Sequence, residues 1–105
     1  MSKPSNHDDN TRIVSVVGDM DALTVRLLRP QFTDIAATEG RDVTLDISGV
    51  DFIDSSGIGA IVFLYKRLVE RKRKLEIHGV HGQPLELFRS LRIDRSITVH
   101  VAEAA

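Results

Sequence analysis

Four short runs rich in β-branched residues alternate with three stretches of helical periodicity, and this alternation constrains the fold more than any other feature of the chain. The runs cover residues 13–17, 43–47, 75–80 and 97–101. Their length, their branching and the turn residues around them predict strands. The first, Ile13-Val14-Ser15-Val16-Val17, is nearly continuous in apolar character, which predicts burial on both faces. The other three alternate apolar and polar side chains. Between the strands, Val25, Leu28, Phe32, Ile35 and Ala36 form one apolar stripe, interrupted by Pro30, where the helix is expected to kink or restart. Ile58, Ile61, Val62, Tyr65, Leu68 and Val69 form a second stripe, with Phe63 and Leu64 as apolar surplus beside it. A third helix is expected to open at Gln83 and Pro84, to carry Leu87, Phe88 and Leu91, and to end near Arg92. Strands alternating with helices imply parallel β-α units and an α/β layer fold whose functional groups gather at strand C-termini.

A length of 105 residues accommodates one such domain and one core. The absence of Cys removes disulfides, thiol catalysis and thiol redox chemistry, and it fits a reducing cytoplasm. Residues 1–11 are polar, lack the apolar core of a secretory signal, and read as a mobile arm. No apolar run approaches the ~20 residues that span a bilayer. The formal net charge of −1 argues against direct nucleic-acid binding, yet it conceals an asymmetry. Residues 1–54 carry five basic and ten acidic side chains, and residues 55–105 carry nine basic and five acidic. The basic excess centres on residues 66–74, expected to be a solvated helix end whose cations complement the helix dipole, with an acidic docking partner as the alternative.

The segment from Val50 to Gly59 places Asp54, Ser55, Ser56, Gly57 and Gly59 between the second strand and the second helix. First-turn amides lack intrahelical acceptors, so this start either serves as an N-cap or stabilises an anion at Ser55 or Ser56. No Lys follows Gly59, so the phosphate-binding loop of nucleotide hydrolases is absent, and the third glycine of a dinucleotide fingerprint is missing. Asp19, Asp21, Asp46, Asp51 and Asp54 could form the acidic pocket of a receiver domain, but no Lys follows the last strand to neutralise a phosphoaspartate. They therefore read as turn and cap residues, with a magnesium site as the lesser alternative. His78 and His81 have i, i+3 spacing interrupted by Gly79, and no third ligand adjoins them. No metal and no cofactor is expected, and no histidine has a serine partner in a hydrolase motif.

Three ordered segments resemble the STAS domain of anti-sigma factor antagonists, from about residue 13 to residue 101. Gly18-Asp19-Met20-Asp21-Ala22-Leu23-Thr24 is similar to the family's Gly-Glu-Leu-Asp-x-x-Thr. Residues 45–59, reading Leu-Asp-Ile-Ser-Gly-Val-Asp-Phe-Ile-Asp-Ser-Ser-Gly-Ile-Gly, resemble the central strand-loop-helix signature, and residues 87–91 resemble the late helix. The resemblance implies a STAS-type layer fold, a central mixed β-sheet with helices packed against it, over residues 12–102, with a tail at 103–105. It implies a non-enzymatic cytoplasmic switch in which Ser56 is the phosphoacceptor. Asp19, Asp21, Thr24, Asp54, Ser55, Gly57 and Ile58 are then the expected partner-binding residues. The implied partners are an anti-sigma factor with a histidine-kinase-like Ser/Thr kinase fold and a phosphatase that resets the switch. The alternative within the same fold is a non-phosphorylated STAS subunit of a membrane lipid-transport complex. The chain departs from the family in its polar opening segment, in its short continuation after Val101, and at Arg92, where the family often has Gly at a helix end.

Overall fold

A computed structural model describes residues 11–103 apart from residue 39. Its elements are β1 (Thr11–Val17), α1 (Ala22–Ala37), β2 (Asp42–Gly49), α2 (Ser55–Glu70), β3 (Leu75–Val80), α3 (Gly82–Ser90), a 3₁₀ turn (Ile93–Arg95) and β4 (Thr98–Val101). The strands form one sheet in the order β1-β2-β3-β4, and every described pairing is parallel. The expected layer fold therefore forms, but its described sheet is parallel throughout where a mixed one was expected, because a helix crosses over between each pair of successive strands. The arm expected before the domain lies outside the described residues, except for Thr11, which opens β1.

Chirality dictates where the helices go. Parallel crossovers are right-handed, and a sheet whose strands follow chain order repeats the same step, so successive crossover helices land on one face. Strand burial follows from this. In β2, Val43, Leu45 and Ile47 are buried, whereas Asp42, Thr44 and Asp46 on the other face are half-buried. In β3, Leu75, Ile77 and Val80 are buried, while Glu76 and His78 face the open side. The sequence pattern of β1 predicted burial on both faces, but only Val16 is buried, and Ile13 and Val17 are exposed. Two circumstances explain the difference: among the described residues β1 pairs only with β2, and the described helices cover only one face.

The first helical stripe packs as its spacing predicts, with Val25, Leu28, Phe32, Ile35 and Ala36 all buried, and α1 runs through Pro30 without interruption. The stripe of α2 is rotated from the expected one. Its buried residues are Gly57, Ala60, Ile61, Leu64 and Leu68, while Val62 and Tyr65 are half-buried and Val69 is exposed. Part of the apolar surplus has another use: the guanidinium groups of Arg29 and Arg67 each lie over the Phe63 ring, 5.1 and 5.2 Å from its centroid. In α3, Phe88 is buried as expected, but Leu91, which follows the last residue of the helix, is exposed.

The basic run is not a uniformly solvated helix end. Arg73 is buried, and its guanidinium donates to the carbonyls of Ile35, Ala36, Thr38 and Arg41. Those carbonyls belong to the last turn of α1 and the segment after it, where orphaned acceptors and the negative end of the helix dipole attract a cation. Burial pulls the Arg73 pKa below its ordinary value, against the opposing pull of Asp42. Arg92 takes the left-handed conformation at φ +59°, the region that the family's glycine would occupy without steric cost.

Candidate functional site

The segments after β1 and β2 are joined side by side. Met20 bridges Ile53 in parallel, the Met20 N–H donates to the Phe52 carbonyl at 2.9 Å, and the Asp54 N–H donates to the Met20 carbonyl at 3.2 Å. Both bridge residues are fully buried. Each segment then turns into a helix through an aspartate cap. Asp21 accepts from the Thr24 N–H at 3.0 Å, and Asp54 accepts from the Ser56 and Gly57 N–H groups at 2.8 and 3.2 Å. The Thr24 N–H, helped by the Thr24 side chain, holds the Asp21 carboxyl below its ordinary pKa.

Gly57 sits at the tightest point of this junction. A Cβ there would lie 2.5 Å from Ile53 Cγ1 and 2.8 Å from the Met20 carbonyl oxygen. The signature glycine thus allows the first turn of α2 to rest directly on the Met20–Ile53 bridge. Gly57 is itself buried at this point, where it shapes the loop that carries Ser55 and Ser56. Ser56, Asp54, Asp21, Thr24 and Ile58 are half-buried, and Ser55 and Asp19 are exposed. All belong to the two segments that the bridge unites.

The aspartates do not assemble into a receiver-type pocket. Asp21 and Asp54 are engaged by the amides of their own helices, and Asp46 lies on the open face of the sheet, where the Ser48 N–H holds its carboxyl below the ordinary pKa. Asp51 is exposed, and its Oδ1 lies 3.8 Å from His81 Nε2. The anion-site alternative also changes, because Asp54 already occupies the Ser56 and Gly57 amides. A phosphate on Ser56 would meet a carboxylate at the helix start.

Two residues absent from the sequence-based site complete it. Gln83, in the first turn of α3, accepts from the Ile53 N–H and donates to the Ile53 carbonyl, each at 2.9 Å, as a neighbouring strand would. His81 Nε2 lies 3.0 Å from the Ser48 carbonyl. Together they tie the start of α3 to the end of β2 and the loop that follows it. Exposed apolar side chains also accompany the site: Leu23 and Leu27, one turn apart on α1, are 71% and 70% exposed, and Phe52 is 43% exposed. No local motif announces Gln83, but the outward-facing i, i+4 leucines are a signal that periodicity could have found.

An open-faced α/β layer domain with a capped Ser-Ser-Gly helix start at its strand ends is the class defined by fold and site. The family model described as "STAS domain" matches residues 3–105, and the chain belongs to that family. It is 32% identical over 75 residues to an anti-sigma-B factor antagonist of Staphylococcus aureus, covering 71% of this chain and 69% of that protein. It is 28% identical over 75 residues to the anti-sigma-B factor antagonist of Listeria monocytogenes, covering 71% of this chain and 66% of that protein. The matched region thus spans about two-thirds of these relatives' length. A putative anti-sigma factor antagonist from Thermotoga maritima superposes with a TM-score of 0.82 at 17% identity, covering 88% of this chain and 80% of that one, which establishes the shared fold. Among the described residues, no helix is long and apolar enough to cross a membrane.

Proposed function

We propose that this protein is an anti-sigma factor antagonist that switches partners through phosphorylation of Ser56 in the cytoplasm. The observation that carries the reading is the junction itself: Ser56 lies in the first turn of α2, capped by Asp54 and locked through the Met20–Ile53 bridge to the segment bearing Asp19 and Asp21. Membership of the STAS family and likeness to proteins named anti-sigma-B factor antagonists support the same reading.

The unphosphorylated surface combines exposed Leu23, Leu27 and Phe52 with half-buried Thr24 and Ile58, a mixture suited to docking. Asp19, Asp21, Ser55 and Asp54 frame it. The partner is an anti-sigma factor with a histidine-kinase-like Ser/Thr kinase fold that phosphorylates the surface it binds. Phosphorylation adds about −1.5 to −2 charges and a hydrated group. Because Asp54 holds the local amides, the dianion gains little from the helix start, meets like charge, and disrupts the docked interface. The core beneath is untouched, so release requires no unfolding. The chain contributes the acceptor, the kinase contributes the chemistry, and a phosphatase restores the starting state.

Incubation with the kinase and ATP followed by phosphosite mapping tests the assignment. Phosphate should appear on Ser56 in the wild type and disappear in Ser56→Ala. Modification of Ser55 or another residue, with Ser56 unmodified, would overturn it.

A further inference from the structure

The open face of the sheet carries a second constellation, remote in character from the helix starts. Glu76 and His78 alternate on β3, so their side chains share a face, and the parallel register pairs His78 with His100 on β4. The histidine rings lie face to face at a tilt, with centroids 4.1 Å apart and planes at 36°. His78 Nε2 is 3.1 Å and His100 Nε2 is 3.0 Å from the same oxygen, Glu76 Oε1.

We propose that Glu76, His78 and His100 form a binding site for a divalent zinc-class cation on the open face of the sheet. The inference is independent of the Ser56 switch. Its basis is convergence: one carboxylate oxygen and two imidazole nitrogens from two strands all lie within 4.8 Å of one another. A tetrahedral zinc with bonds of about 2.0–2.1 Å requires ligand–ligand separations of about 3.3 Å. The two observed N···O separations need to open by only a few tenths of an ångström. Two imidazoles with one carboxylate suit zinc, nickel or copper better than magnesium or calcium, which require more oxygen ligands. The three side chains are 42–49% exposed, so an ion can enter and water can fill the remaining position.

Binding would also pin β4 to β3. The ion replaces two hydrogen bonds to one carboxylate with bonds from both strands to a single centre. Its site is distinct from the His78–His81 pairing weighed from sequence, because His81 turns instead toward the Ser48 carbonyl. His100 supplies the missing ligand through strand pairing.

Calorimetric titration of the full chain with zinc chloride tests the site, beside nickel and magnesium chlorides. Saturable one-to-one zinc binding is expected, with thermal stabilisation of roughly 10 °C or more at a hundredfold excess over Kd. His100→Ala and His78→Ala should each weaken binding by about tenfold or more. A His7→Ala/His81→Ala double variant should bind as the wild type does, and magnesium should not compete. The exposed positions allow the variants to be checked for native circular dichroism before titration. Absence of saturable zinc binding, or equal zinc affinity in the wild type and the folded His78→Ala and His100→Ala variants, would overturn the proposal.

Discussion

Replacing Gly57 by alanine adds one methyl group where the start of α2 meets the Met20–Ile53 bridge. That carbon would stand 2.5 Å from Ile53 Cγ1, 2.8 Å from the Met20 carbonyl oxygen and 2.9 Å from Met20 Cβ. Met20 cannot retreat cheaply, because its N–H and carbonyl are both engaged across the bridge and its side chain is fully buried. Overpacking of this kind costs about 1–3 kcal/mol, with the upper part of the range expected where backbone must move. Alanine's better helix propensity offsets up to about 1 kcal/mol. The expected net loss is therefore about 1–2 kcal/mol, or a fall in Tm of roughly 5–10 °C for a domain of this size. Gly59 provides the control two residues later, since a Cβ there would meet only Arg29 Nη2, at 3.8 Å. Gly59→Ala should gain about 0.5–1 kcal/mol. Urea unfolding followed by circular dichroism reads both. Shifts of the same sign would refute the claim that close approach, rather than generic loop flexibility, places glycine at position 57.

Further outcomes follow from other elements. Arg73→Ala should cost about 3 kcal/mol in denaturant unfolding, because the carbonyls at the end of α1 lose a buried charged donor; Arg73→Lys should recover less than half, since an ammonium cannot reproduce the planar fork. Equal stability of all three forms would contradict the capping role. Arg92→Gly should stabilise the fold by about 0.5–1 kcal/mol, the left-handed penalty exceeding glycine's entropic cost, and a loss of stability would contradict that account. The folded Asp21 carboxyl titrates below the ordinary carboxylate range because of the Thr24 N–H. Its contribution is therefore present above the unfolded pKa and lost as pH falls through the lower folded value. Asp21→Asn keeps a cap acceptor without the titration, so its stability deficit relative to wild type, measured by urea unfolding, should narrow in acid; a widening deficit would reverse the assignment.

The sequence revealed those features whose cause is local. The α1 stripe was legible because one helix face meets one core. The Asp54-Ser55-Ser56-Gly57 start was legible because capping and a missing Cβ are requirements of adjacent residues. The α2 stripe was displaced because this helix also packs beside α1, where Arg29 and Arg67 lie over Phe63 and accommodate an aromatic that simple amphipathicity leaves over. The burial of β1 was not legible, because strand composition does not distinguish a strand covered on both faces from one covered on a single face. Gln83 acts on Ile53 across 30 residues, and Arg73 reaches the end of α1 across as many as 38. Such contacts depend on topology, and no periodicity within either segment encodes them. His100 joins His78 for the same reason: parallel register, rather than spacing along the chain, brings them together.

The central claim is most directly tested by measuring affinity for the anti-sigma kinase before and after stoichiometric phosphorylation of Ser56, with circular dichroism of both forms. Phosphorylation should weaken binding by about tenfold or more, at least about 1.4 kcal/mol, while the spectrum remains native. Unchanged affinity, or release accompanied by loss of the folded spectrum, would contradict a switch that works by charge at an intact surface.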